Sequence, residues 1–116
     1  MNKRELIAVG VDPDNHIWGG HFGISPLYNI YEQSGKLIDK RPNPYCVGGG
    51  EEKHHDDPEL ILDLLHECNV FIAQKMGGRS KRMLAEKLNV VPILTGESDP
   101  DVAVSIYLKE LRGYQE

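Results

Sequence analysis

"PELILDLLHECNVFIAQKMGGRSKRMLAEKLNVVPIL", residues 58–94, is the stretch whose reading decides the fold. Leu60, Ile61, Leu64, Leu65 and Cys68 recur at helical spacing, so one face of a helix is apolar. Asp57 is placed to cap its free amides, and Pro58 suits the first helical position. Val70–Ala73 then reads as a buried strand, and Arg79–Leu88 as a second helix with Met83, Leu84 and Leu88 inward. Val90–Leu94 reads as a further strand, in which Pro92 lacks the N–H that an inner ladder needs and so favours a sheet edge. Helix, strand, helix, strand is the pattern of parallel α/β units.

The flanking segments complete a sheet. Leu6–Val11 is a continuous apolar run, as a central strand requires. Leu27–Gln33 and Lys36–Arg41 flank Ser34-Gly35, a tight-turn signal, and read as an antiparallel hairpin. Asp99-Pro100 repeats the cap-and-proline start and opens a last helix through about Leu111. The element order β β β α β α β α predicts an α/β, three-layer architecture with a mixed five-stranded sheet in the order 3-2-1-4-5, as in ribonuclease H-like folds. With ordinary crossovers, the loops after strands 1, 3, 4 and 5 all leave from one edge. Ligands of open α/β sheets favour that carboxyl edge.

The chain has 116 residues, which suits one domain over 1–116. Hydrophobic residues make up 40% and charged residues 27%, a globular balance. A formal net charge of −5 argues against a general nucleic-acid binder, which needs a basic face to release counterions. No apolar run reaches membrane-spanning length, and the first residues run into a strand pattern rather than a signal-peptide core. Two cysteines, Cys46 and Cys68, are too few for a disulfide framework, so a cytoplasmic, reduced protein is expected. Cys68 reads as a core residue of the first helix.

The loops "DPDNHIWGGHFGISP" and "PNPYCVGGGEEKHHD" are each about fifteen residues long, beyond the usual connection in a compact domain. They hold His16, His21, His54 and His55, four of the five histidines, together with Trp18 and Cys46. His66 falls on the outer face of the first helix. His21 lies among glycines that let a bulky ligand approach the backbone. It reads either as a loop imidazole satisfied by a carbonyl or as a metal ligand. On an extended backbone at most one of His54 and His55 faces the same ligand, and Cys46 is a further thiolate candidate. No CxxC, HExxH or His-x-His motif supports a preformed zinc site. After strand 4, Gly77-Gly78 sit where a helix begins, with Lys75, Arg79, Lys81 and Arg82 around them. Cations oppose the helix dipole there, whereas glycines, free amides and positive charge together suit an anion. Lys75 and Arg79 flank the turn itself, while Lys81 and Arg82 also read as a solvated face. Met76 reads as the end of a core strand.

"IAVGVD", "HFGIS" with "YNIYE" after it, and "HHDDPELILDLLHECNVFIAQKMGGRSKRMLAEKLNVVPIL" resemble the dinitrogenase iron–molybdenum cofactor-binding family, small proteins of the NifX, NafY and NifB C-terminal-domain type. The resemblance spans almost the whole chain and implies a ribonuclease H-like fold. It implies a binding or carrier protein, not an enzyme, for an iron–sulfur or iron–molybdenum type cluster in cofactor assembly or storage, related to nitrogen fixation. The family's cofactor-contacting histidine falls on His21 and its glycine turn on Gly77 and Gly78. Lys75 and Arg79 are expected to assist in binding, and Cys46, His54 and His55 stand as further metal-ligand candidates. The partners implied are cofactor donor and acceptor proteins, with no nucleic acid and no membrane, and the protein is expected as a monomer or weak homo-oligomer. Two rival readings remain on the residues themselves. One is a phosphate or nucleotide sensor that uses the glycine turn without metal. The other is a ribonuclease H-like nuclease built on Asp12, for which strand 4 ends in "FIAQK" without an acid.

Overall fold

A computed structural model describes residues 6–44 and 58–115. Its strands β1 (Leu6–Val11), β2 (Leu27–Tyr31), β3 (Leu37–Pro42), β4 (Cys68–Ala73) and β5 (Val91–Leu94) lie in the order β3-β2-β1-β4-β5. β2 runs antiparallel to both β1 and β3, β4 runs parallel to β1, and β5 runs parallel to β4. The helices are α1 (Pro58–Leu64), α2 (Gly78–Glu86) and α3 (Pro100–Gln115). The expected mixed α/β sheet and its strand order are therefore present, with Pro92 on the edge strand.

Period-2 alternation splits the core into two layers. Ala8, Tyr28, Ile30, Phe71 and Ala73 pack with Ile61, Leu65 and Leu84 under α1 and α2. Ile7, Val9, Val11, Tyr31, Val70 and Ile72 pack with Ala103, Val104 and Leu108 of α3 on the other face. Burying each large side chain contributes about 1.5–3 kcal/mol before entropy.

Element ends differ from the sequence reading at a few places. Cys68 is a buried core residue as expected, but it opens β4 rather than closing α1, which ends at Leu64. A bulge explains the change. One step on β1, Leu6 to Ile7, spans two on β4, Cys68 to Val70, so Cys68 turns to the α1 side while Val70 faces α3. His66 is exposed, on the turn after α1 instead of on the helix. α2 starts at Gly78, β2 ends at Tyr31, and α3 runs on past Leu111 to Gln115.

One charged clamp ties the β3 edge to the end of α1. Arg41 donates to both Glu67 oxygens (Nη1–Oε1 3.0 Å, Nη2–Oε2 2.8 Å), to the Leu64 carbonyl at 3.0 Å and to Asp39 at 2.8 Å. The Arg41 hydrogen bonds hold the Glu67 carboxyl below its ordinary value of 4.5. A depressed carboxylate stabilises the fold above its unfolded pKa and loses that contribution as pH falls through the folded one. Glu67→Gln is therefore expected to cost about 1 kcal/mol at neutral pH. The gap between the melting curves of parent and variant should close on acidification below the ordinary glutamate range. A gap that stays constant down to pH 3 would mean that the pair contributes nothing through charge.

Candidate functional site

Loops after three parallel strands meet at the carboxyl edge. Ile17 N donates to the Ser98 carbonyl at 2.7 Å, joining the loop after β1 to the loop after β5. Thr95 N donates to the Ala73 carbonyl at 2.9 Å, and Gln74 Nε2 to the Glu97 carbonyl at 2.6 Å. His21 pairs with Lys75 as an isolated parallel bridge, and Phe22 N donates to the Lys75 carbonyl at 3.0 Å. The imidazole's own backbone thus lies against the turn that leads through Met76 to Gly77 and Gly78.

The "HFGIS" segment is seated from below. Phe22, Gly23 and Ile24 form a single 3-10 turn, with His21 extended at its start. Phe22 is buried, its ring 4.7 Å from that of Phe71 and 4.9 Å from that of Tyr28. Its carbonyl accepts from Tyr28 Oη at 2.6 Å and from Ser25 Oγ at 2.8 Å. Asn43 Nδ2 donates to the Gly23 and Ser25 carbonyls at 3.0 and 2.9 Å. Gly10 on β1 makes the close approach feasible, because a Cβ there would fall 2.1 Å from Ser25 Oγ. None of Gly10, Tyr28 or Asn43 stands out in the sequence, because their role depends on distances across the sheet.

A second brace holds the first part of the same loop. Asp12 Oδ1 accepts from the backbone N–H groups of Asp14 and His16 at 2.9 and 3.0 Å, so this carboxylate is engaged in the turn. Asn15, at φ 67, accepts from Asn29 Nδ2 at 3.0 Å and from Lys40 Nζ at 2.9 Å. Asn29 Nδ2 also donates to Tyr31 Oη at 3.3 Å, and Tyr31 donates to Asp101 at 2.6 Å. Burial, then the hydrogen bond to Asp101, push the Tyr31 phenol well above its ordinary value, so it stays a neutral donor. The chain Lys40–Asn29–Tyr31–Asp101 anchors the loop to β2, β3 and α3.

Among the described residues, the upper surface is left chemically open. The His21 side chain is half-buried, and among the described residues no group hydrogen-bonds its ring. Gly78 is exposed, with nothing within 4 Å of where a Cβ would lie, and Gly77, at the start of α2, has no side chain of its own to cap it. Lys75, Arg79, Lys81 and Arg82 are all exposed, and none makes an ion pair among the described residues. In a chain of net charge −5, four cations without an ion pair among the described residues form a local positive rim around the glycine start of this helix. Trp18 Nε1 is buried and has no hydrogen-bond partner among the described residues. An imidazole without a hydrogen bond among the described residues and a cationic glycine turn together suit an anionic ligand with a metal open to nitrogen.

His16 is exposed, its Nδ1 4.0 Å from Asp12. Met76 is partly buried and packs on the core, as a strand end should. Cys46, His54 and His55 lie outside the described residues. No group of three or more His, Cys, Asp or Glu assembles a metal site among the described residues. Nor is any helix there long and apolar enough to cross a membrane.

Residues 4–109 match the family model described as dinitrogenase iron-molybdenum cofactor. The chain belongs to this family. Membership in the iron–molybdenum cofactor family ties it to the binding or assembly of that cofactor, among proteins that are typically binders or carriers. No curated protein matches the chain significantly. Among solved structures, the crystal structure of PH0822 is similar with a TM-score of 0.64 at 16% identity, over 90% of this chain and 89% of that one. At that identity the likeness speaks to fold alone.

Proposed function

We propose that the protein is a carrier for a preassembled anionic metal–sulfur cluster of the iron–sulfur or iron–molybdenum type, handed between a donor and an acceptor protein. His21 ligates one metal through an imidazole nitrogen. The Gly77 and Gly78 turn, with Lys75 and Arg79, faces the sulfide or carboxylate groups of the cargo. The observation that supports this reading is the His21–Lys75 backbone bridge, which brings residue 21 next to the strand end that leads into the Gly77-Gly78 turn and its exposed cations. A single protein ligand suits reversible handling, because a closed multi-ligand cage would hold its metal too tightly to pass on.

Anaerobic titration with extracted iron–molybdenum cofactor, followed by visible absorption, tests the proposal. His21→Ala is expected to weaken binding by at least about tenfold, the scale of one lost ligand or charged contact. Binding in the parent should also fall as salt is raised, because cations on an exposed rim are screened. Equal binding by parent and His21→Ala would remove the imidazole from the site. Thermal stabilisation by inorganic phosphate, with none by a cluster, would favour the sensor reading instead.

A further inference from the structure

We infer that Trp18 is a second cargo-contacting residue, whose indole N–H donates to an anionic acceptor atom of the same ligand that His21 binds. The inference deepens the carrier reading and rests on it. Indole nitrogen is a donor only, and an unpaired buried donor is costly in the free protein. Trp18 Nε1 is in that position. The Gly20 backbone lies against it: a Cβ at that position would lie 2.8 Å from Trp18 Nε1 and 3.2 Å from Cε2. The tryptophan itself is fixed, since Trp18 N donates to the Gly10 carbonyl at 2.9 Å and the preceding Ile17 is buried and bonded to Ser98.

The two residues that follow are held less firmly. Neither Gly19 nor Gly20 donates a backbone hydrogen bond among the described residues. Between a fixed Trp18 and the Phe22 N–Lys75 carbonyl bond, this two-glycine strap has no side chain to hold it, and its displacement loosens the His21–Lys75 bridge into which it runs. A ligand drawn to the imidazole meets the strap next. Displacing Gly20 uncovers the N–H within reach of a bridging sulfide or carboxylate oxygen on that ligand. A ligand shifts such an equilibrium only by interacting better with one state, and an N–H unmet in the free state and paired in the bound one supplies that difference.

The protein has one tryptophan, so its indole N–H gives a single signal in a nitrogen–proton correlation spectrum. The probes are tetrathiomolybdate, a diamagnetic anionic metal sulfide, and inorganic phosphate as the metal-free oxyanion. The parent, Trp18→Phe and His21→Ala are titrated anaerobically with each. On saturation with tetrathiomolybdate the indole signal of the parent should move downfield. Trp18→Phe, which keeps an aromatic body but removes the donor, should bind about tenfold more weakly. Its ligand-free melting temperature should equal or exceed that of the parent, whereas a merely structural tryptophan would show a loss. If His21→Ala abolishes binding while Trp18→Phe matches the parent or the indole signal stays fixed, the carrier reading survives and the Trp18 inference is overturned. If the parent ignores tetrathiomolybdate, or only phosphate moves the indole signal, both are overturned.

Discussion

Gly10→Ala is expected to destabilise the protein by about 3 kcal/mol, near the upper range for overpacking a core, and to lower its melting temperature by about 10 °C. The added methyl would sit 2.1 Å from Ser25 Oγ, 2.9 Å from Ser25 Cβ and 3.4 Å from Phe22 Cδ1. Neither side can yield easily. Gly10 lies in the central strand, opposite Tyr28 in the β1–β2 ladder, and Ser25 is fully buried with its hydroxyl bonded to the Phe22 carbonyl. Relief comes by pushing the "HFGIS" segment off the sheet, which moves His21 away from Lys75. On the proposed carrier reading, cluster binding should therefore fall along with stability, although Gly10 lies in the strand beneath the loop. Gly10→Ala combined with Ser25→Gly removes both of the nearest contacts. The pair should recover most of the lost stability in chemical denaturation, a coupling of more than about 1 kcal/mol. Independent, additive effects of the two changes would mean that the close approach is not what Gly10 provides.

The same position shows where reading a sequence stops. Strand order was legible because it follows from parity: a Ser34-Gly35 hairpin, two apolar strands joined by helices, and a proline that demotes the last strand to an edge. Parity also places the loops of His21 and Gly77-Gly78 at one rim. The bulge at Asn69 was not legible, because the apolar positions 60, 61, 64, 65 and 68 keep helical spacing across the turn where the chain changes to strand. The seat under His21 was hidden for a different reason. Gly10, Ser25, Tyr28 and Asn43 meet only once β1, β2 and the end of β3 are side by side, and no local pattern announces such a meeting. Trp18 is visible as a residue type, but its unmet N–H is a property of packing alone.

Phe22→Ala should have an effect as large as that of Gly10→Ala, by the opposite physics of a cavity. Phe22 is 4% exposed, stacks on Phe71 and lies tilted against Tyr28, so truncation is expected to cost about 3–5 kcal/mol. The ring is the apolar peg of a loop that is otherwise small or polar. Its carbonyl bonds to Tyr28 and Ser25 depend on the ring fixing the turn in place. Phe22→Leu keeps an apolar peg and should retain roughly half of the lost stability. Tyr28→Phe removes one donor to the Phe22 carbonyl but leaves Ser25 Oγ bonded there, so its cost should stay near 1 kcal/mol. Cluster affinity, measured where each variant remains folded, should follow the same order, with Phe22→Ala weakest. If Tyr28→Phe proves as damaging as Phe22→Ala, the polar bonds and not the aromatic stack hold His21 at the rim. The imidazole would then depend on a buried hydroxyl, and affinity would track that hydrogen bond rather than the volume of the side chain at position 22.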